Sequence, residues 1–435
     1  MSRRVLFVAA EFPPCNLTAG HRTRLFVRNL PEFGYAPIVL TVQASAYETR
    51  LEEELASLVA PDVEIIRTRA LPTRPVRLVG DLGVRSFPYF ASAMRRLIRE
   101  RNVDLVYLPI PPNYSSLLGP IARYLWRTPF VIDYIDPWVR PATEQDRQSW
   151  KGRASCALAR MLEPIALCGV GGITGVAESY FADVRARHPR LIDRPSAGIP
   201  YGGEPLDHAI AMRDGRPSAI LQDTGLDDRL VLAYCGAMLP RAYGTLRTLL
   251  TACRQWVESG DPLAAKLTLL FVGTGMRPND PRSGTVAPVA RECGAQDFVV
   301  EVAHRQPYLE ILRLLHQAHG VMILGSSERH YTASKTFQSL MSGRPILAML
   351  HAESSAAEVL AKQSGVELVT FNDDQPVETC QEQILGGVRR VAESSRQPVQ
   401  RAATALEPYT AREMSRRLAA FFDEVLQRQR DGRYA

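Results

Sequence analysis

The chain has 435 residues, 46% hydrophobic and 23% charged. That length suits two cores rather than one, and the composition excludes a disordered or fibrous protein. Its 29 Gly and 31 Pro follow no period, which excludes collagen-like and low-complexity readings, and no apolar run approaches the roughly 18 residues of a membrane span. Charge is uneven. Residues 1–200 carry 26 basic and 19 acidic side chains, a net +7, and the remainder is −1. Only four of the basic residues are lysines: Lys151, Lys266, Lys335 and Lys362. Arginine number alone therefore says little about nucleic acid, and no nucleic-acid partner is expected. Seven cysteines without C-x-x-C spacing suggest reduced thiols and a cytoplasmic location.

Arg3-Arg4 precedes an apolar run at residues 5–10 that stops at Glu11, which reads as a first strand rather than a leader. Further strands are predicted at 38–42, 63–68, 105–110, 130–135 and 172–176, then at 230–235, 267–272, 298–302, 321–324, 345–350 and 367–371. These runs are continuous rather than alternating, as parallel strands buried on both faces require. Helical patterns separate them. One begins near Gly20, sets Leu25, Phe26, Leu30 and Phe33 on one side, and stops at Gly34; another carries Tyr308, Leu309, Ile311, Leu312 and Leu315 and stops at Gly320. The alternation occurs twice, so the expected fold is α/β with two doubly wound, Rossmann-like domains. The predicted division is 1–200, 201–401 and terminal helices at 402–435 that pack back on the first domain, with a Pro- and Gly-rich boundary at 194–228.

In open α/β sheets ligands bind beyond the carboxyl ends of the strands. Gly20, Pro111-Pro112-Asn113-Tyr114, Asp133 and Asp136 follow strands of the first half. Gly236, Gly273-Thr274-Gly275, Ala303-His304 and Gly325-Ser326-Ser327-Glu328 follow strands of the second. Two domains presenting these ends to each other would enclose a cleft for a bulky anionic small molecule. A Gly at a helix start lets backbone N–H groups approach a phosphate; it also serves any loop that needs a permissive residue. Gly273-Thr274-Gly275 reads as a tight strand-to-helix turn near the ligand. Asp133 and Asp136, three apart, face different sides, which argues against a paired acid–base role.

The most informative stretch is Ser334-Lys335-Thr336-Phe337-Gln338-Ser339-Leu340-Met341-Ser342-Gly343-Arg344-Pro345-Ile346-Leu347-Ala348. Ser334 is predicted to cap a helix that turns Phe337, Leu340 and Met341 inward and ends at Gly343. This segment resembles the nucleotide-sugar motif of GT-B glycosyltransferases of the retaining family 4. Asp133-Tyr134-Ile135-Asp136-Pro137-Trp138 is similar to an acceptor-domain signature of a bacterial branch of that family. Ile199-Pro200-Tyr201-Gly202-Gly203 resembles its inter-domain turn, and Tyr234-Cys235-Gly236, Leu270-Phe271-Val272-Gly273 and Val302-Ala303-His304 match its second-domain loops in order.

The resemblance implies a GT-B fold and a nucleoside-diphosphate sugar held mainly by the second domain, with transfer to a glycan, lipid-linked or small-molecule acceptor. Lys335 and Arg241 would neutralise the departing diphosphate, and Asp136 would stand near the acceptor. Gly20, Gly236, Gly273, Ala303, His304, Glu328, His330, Tyr331, Ser334 and Gln338 would bind the donor; Asn113 and Tyr114 would bind the acceptor. Fixed cations can stabilise a departing diphosphate without a metal. No Asp-X-Asp motif stands in the expected strand-end context, so neither a metal nor a cofactor beyond the donor is expected. The chain departs from the family pattern at two places. Gln338 replaces the second Glu of a Glu-X7-Glu pair, with His330 eight residues earlier, and Leu246 stands five after Arg241 where a Lys is usual. A catalytically silent GT-B protein is therefore the alternative. The segment 87–98, with Phe90, Met94, Leu97 and Ile98 among arginines, reads either as a surface helix packing inward or as a peripheral contact with an anionic membrane.

Overall fold

A computed structural model describes residues 2–73, 80–140, 147–226, 228–277, 279–327, 335–395 and 397–432. Among the described residues there are thirteen parallel strands, twelve of them formed by the apolar runs. In the first half these are β1 (Arg3–Val8), β2 (Tyr35–Val42), β3 (Glu64–Thr68), β4 (Leu105–Ile110), β5 (Phe130–Tyr134), β6 (Gly172–Gly175) and β7 (Ser196–Gly198). In the second they are β8 (Leu230–Cys235), β9 (Leu267–Val272), β10 (Val299–Val302), β11 (Gly320–Leu324), β12 (Ile346–His351) and β13 (Val366–Phe371). The first sheet has the order β3-β2-β1-β4-β5-β6-β7, the second β10-β9-β8-β11-β12-β13. In each, the order reverses beside the first strand, the arrangement that opens a binding crevice at the carboxyl ends.

The chain divides into two compact units, Met1–Tyr201 with Ala411–Ala435, and Gly202–Thr410. The helix Ala411–Arg430 completes the first unit. Its Met414, Leu418, Phe421, Phe422 and Val425 join Phe7, Tyr107 and Val131 in one buried cluster. The Phe422 ring meets Tyr35 and Tyr107 edge-on at 5.4 and 5.5 Å, and Asp423 accepts from the Tyr35 hydroxyl at 2.7 Å. Residues 402–410 differ from that reading of the tail: they lie in the second unit, where Tyr409 packs on Phe337.

Gly34, at φ +82°, closes the first helical stretch (Thr18–Asn29, then a tight turn Leu30–Phe33) in the left-handed conformation the sequence predicts there. The strand β7 was not expected; Ser-Ala-Gly has no apolar run and pairs only along β6. The boundary region also holds two helices, Pro205–Met212 and Ala219–Thr224. The helix Leu82–Arg101 buries Phe90, Met94, Leu97 and Ile98. Its apolar face is core, which is the inward-packing reading of that segment and leaves those side chains unable to meet a membrane. Among the described residues no helix is long and apolar enough to cross a membrane.

Candidate active site

In the second unit, the ends of β8 and β9 and the start of the helix Lys335–Met341 converge. The Gly236 amide donates to the Val272 carbonyl at 2.8 Å and the Gly273 amide to Val302 at 2.8 Å, so the two turns are fixed side by side. Gly236 has φ +132°, and a Cβ there would stand 3.4 Å from Lys335 Nζ. A side chain at this position would be strained and would stand in contact with the ammonium. Lys335 Nζ lies 3.4 Å from the centroid of the Tyr234 ring, is out of contact with solvent, and has no hydrogen-bond partner among the described residues. Desolvation lowers its pKa to about 7, with a small opposing pull from Cys235. Burial raises the Cys235 thiol to about 12, so it is neutral at ordinary pH. A buried ammonium that only an aromatic face supports is costly and is satisfied by an incoming anion.

Gln338, one turn along the same helix, is held by a histidine pair. His208 Nε2 lies 2.7 Å from Gln338 Oε1, and His208 Nδ1 lies 2.8 Å from His316 Nε2. Burial lowers the pKa of His208; burial, followed by His208 and Arg344, lowers that of His316 to about 4. Both rings are neutral at ordinary pH.

The turn Gly273-Thr274-Gly275 does not present a free helix end. The Glu301 carboxylate accepts from the Thr285, Val286 and Ala287 amides at 2.9, 3.0 and 2.8 Å and from the Thr274 hydroxyl. It thereby caps the helix Val286–Glu292 with the protein's own anion. The Ala303 carbonyl accepts from the Gly275 amide at 2.8 Å, and His304 Nε2 accepts from Gln306 at 2.7 Å. Arg241 is exposed on the turn Pro240–Ala242; its carbonyl accepts from the Ser327 amide at 3.2 Å, which ties the loop after β8 to that after β11. Glu328, His330, Tyr331 and Ser334 lie outside the described residues.

In the first unit, Gly20 packs so tightly that a Cβ would meet the Glu11 and Phe12 backbone at 3.3 Å. Asp133 is structural. It is fully buried and receives Arg22 through two bonds of 2.7 and 3.1 Å and the Thr174 hydroxyl at 2.8 Å. Asp136 is exposed three residues later. Asn113 and Tyr114 line a cavity of about 270 Å³ together with Asp81, Trp138 and Arg140. Tyr114 and Trp138 meet edge-on at 5.8 Å, and Asn113 Oδ1 is buried without a partner. Burial raises the pKa of Asp81, which also caps the helix Leu82–Arg101 by accepting from the Val84 amide at 3.0 Å.

Sequence reasoning missed His208, His316, Arg22, Asp81 and Glu301. No spacing signal pairs His208 with residues 108 and 130 positions away. A carboxylate within a strand run, as at Glu301, is the one local hint that was open to reading.

Residues 18–194 match the family model described as a glycosyl transferase 4-like domain. No curated protein matches the sequence. Among solved structures, the chain is similar to Anabaena HepE in complex with UDP and glucose, at 15% identity over 97% of this chain and 100% of that one, TM-score 0.60. Sucrose-phosphate synthase from Thermosynechococcus elongatus gives 14% identity, 98% and 100% coverage and TM-score 0.61. A UDP-forming α,α-trehalose-phosphate synthase from Burkholderia xenovorans, in complex with glucose-6-phosphate, gives 12% identity, 98% and 100% coverage and TM-score 0.61. At these identities the likeness establishes the fold, which is GT-B. Within that fold, residues 18–194 resemble the glycosyl transferase 4-like domain.

Proposed function

We propose that the chain transfers a sugar from a nucleoside-diphosphate sugar to a glycan, lipid-linked or small-molecule acceptor, with retention at the anomeric carbon and without a metal. The unpartnered, desolvated Lys335 ammonium beside Gly236 carries this reading. As the bond from the anomeric carbon to phosphate breaks, negative charge grows on the diphosphate. A fixed cation in a dry site stabilises that charge more in the transition state than in the ground state. Arg241 supplies a second cation from the neighbouring turn. Gly236 and Gly273 leave room for the phosphates, Ala303 and His304 stand beside the base, and Gln338 meets the ribose. Glu328, His330, Tyr331 and Ser334 keep the donor roles the family resemblance assigns. The UDP in the HepE structure and the UDP-forming trehalose-phosphate synthase support a nucleoside-diphosphate donor.

On the acceptor side, Asn113 and Tyr114 act with Trp138. An aromatic pair beside an unpaired amide oxygen suits a sugar ring, with its apolar face and its hydroxyl edge. Asp136 is close in sequence to this cavity. A strong general base is not required, because the leaving phosphate can take the acceptor proton.

The test is release of nucleoside diphosphate from a panel of UDP-, GDP-, ADP- and dTDP-sugars offered with mixed saccharide acceptors. The expected result is turnover with one base that persists in EDTA, a product of retained configuration, and a kcat for Lys335→Ala lower by about a hundredfold or more. Nucleotide binding without turnover would favour the catalytically silent alternative, which the loss of the Glu-X7-Glu pair supports.

We also propose that any peripheral contact with an anionic membrane uses a cavity of about 680 Å³ at the amino-terminal edge of the first sheet. Arg123, Arg127, Arg190 and Arg194 line it, with no carboxylate among the described lining residues. Exposed Leu125 (71%) and Ile192 (62%) adjoin lining residues in the chain. Co-sedimentation with phosphatidylglycerol vesicles should weaken in Arg127→Asn, a residue that suits the left-handed backbone there; equal sedimentation of both would remove this surface from the reading.

A further inference from the structure

We propose that His208 and His316 are positioning residues that set which edge of the Gln338 amide faces the donor's ribose, and so let a neutral glutamine do the work of an acceptor carboxylate. The inference rests on the donor reading above.

The heavy-atom chain is Gln338 Oε1, His208 Nε2, His208 Nδ1, His316 Nε2, with contacts of 2.7 and 2.8 Å at its two hydrogen bonds. The rings meet edge-on, with centroids 5.0 Å apart. Each neutral imidazole has one N–H and one bare nitrogen, so the chain runs in one direction at a time. In the first direction His316 Nε2–H donates to His208 Nδ1, and His208 Nε2–H donates to Gln338 Oε1. The amide NH2 then faces outward. In the second the amide is turned over. Its NH2 donates to His208 Nε2, His208 Nδ1–H donates to His316 Nε2, and Oε1 faces outward. Both directions fit the same heavy-atom positions. They differ by one amide flip and one tautomer shift in each ring, with no net gain or loss of protons.

Gln338 is half-buried, and among the described residues its side chain has only the contact with His208, which leaves the other edge of the amide for a ligand. Ribose hydroxyls can accept from an amide NH2 or donate to an amide oxygen, and only the second direction offers the oxygen that would stand in for an acceptor carboxylate. The second direction is the one assigned to the ribonucleotide complex. A lone glutamine would face the same choice with nothing to hold the flipped amide; the bare Nε2 of His208 is what accepts its inward NH2. The pair is kept neutral by burial. Asp207 neighbours His208 and accepts from the Tyr308 hydroxyl at 3.0 Å, while Arg344 donates to the His316 carbonyl and disfavours a second positive charge. A protonated His208 would donate from both nitrogens, holding Gln338 Oε1 inward and making His316 Nε2 an acceptor, so that neither direction of the neutral chain would stand.

The experiment compares UDP, GDP and ADP with their 2′,3′-dideoxy counterparts by calorimetry on wild type, Gln338→Leu, His208→Phe and His316→Gln. Histidine ¹⁵N spectra of the wild type are recorded in parallel. The expected result is that the wild type prefers the ribonucleotide of one base about tenfold. That preference falls to within about twofold in Gln338→Leu and His208→Phe, while the affinity for the dideoxy form is retained. The proton on His208 moves from Nε2 to Nδ1 when the ribonucleotide binds and does not move with the dideoxy form. Nucleotide binding with no ribose preference, or with the same preference in His208→Phe and His316→Gln, or with unmoved ¹⁵N shifts, overturns the inference and leaves the donor reading standing. If no nucleoside diphosphate binds any of the four proteins, the donor reading fails and this inference fails with it. His316 is only half-buried and the ¹⁵N readout needs no variant, so the test survives misfolding of His208→Phe.

Discussion

Lys335 lowers stability where it stands, and in the proposed donor site a ligand would offset that cost. Its folded pKa is about 7 against 10.5 for the free side chain. Between those values the unfolded chain holds the proton and the folded chain does not, so this group adds stability as pH rises through the window, and its burial penalty is felt in full below it. Lys335→Met should therefore raise the melting temperature of the unliganded protein by a few degrees at pH 6, with the gain fading toward pH 10. A variant that melts lower at pH 6 would show that the ammonium has a partner. A diphosphate placed on Nζ reverses the shift, so binding at pH 8 should take up a proton, read as a heat that varies with the ionisation enthalpy of the buffer. Asp133 is the contrasting case. Its carboxylate is consumed by Arg22, and Asp133→Asn should cost about 3–5 kcal/mol by leaving a buried guanidinium without its countercharge. Urea unfolding checks that figure; a loss under 1 kcal/mol would deny the pair its structural role.

At the scale of elements, twelve of the strands were legible because a parallel strand buried on both faces must be an unbroken apolar run. The short β7 was not, since Ser196, Ala197 and Gly198 have almost nothing to bury. The helix Lys335–Met341 could be read from Phe337 and Leu340 and from the stop at Gly343, but its dependence on His208 could not, because helix packing joins residues far apart in sequence. Glu301 follows the same rule. Its side chain points back to cap the helix Val286–Glu292, so Glu301→Ala should cost about 1–2 kcal/mol and leave the strands intact. Thermal melts and far-ultraviolet circular dichroism together test this, and an unchanged melt would mean that solvent caps the helix equally well.

At the scale of the whole molecule, two sheets share one strand order yet carry different chemistry at their carboxyl ends. The second presents a lone cation, two permissive glycines and an amide held by histidines; the first presents an aromatic pair, an unpaired amide oxygen and a buried-leaning carboxylate at Asp81. The family resemblance implied one donor site for Lys335, Gly236 and Gly273, and the structure brings them within a few ångströms. The partners that tune them, Tyr234 under the ammonium and the histidine pair behind Gln338, follow from tertiary packing and leave no local signature.

The central claim is that Lys335 receives the diphosphate of a nucleotide donor. The measurement that tests it most directly is calorimetric titration of UDP, GDP, ADP and dTDP into the wild-type chain and Lys335→Met at pH 8. The prediction is that one nucleotide binds the wild type with uptake of a proton, and that Lys335→Met loses about tenfold or more of that affinity together with the proton uptake. Equal affinity in the two proteins, or no binding of any nucleotide to the wild type, would contradict it.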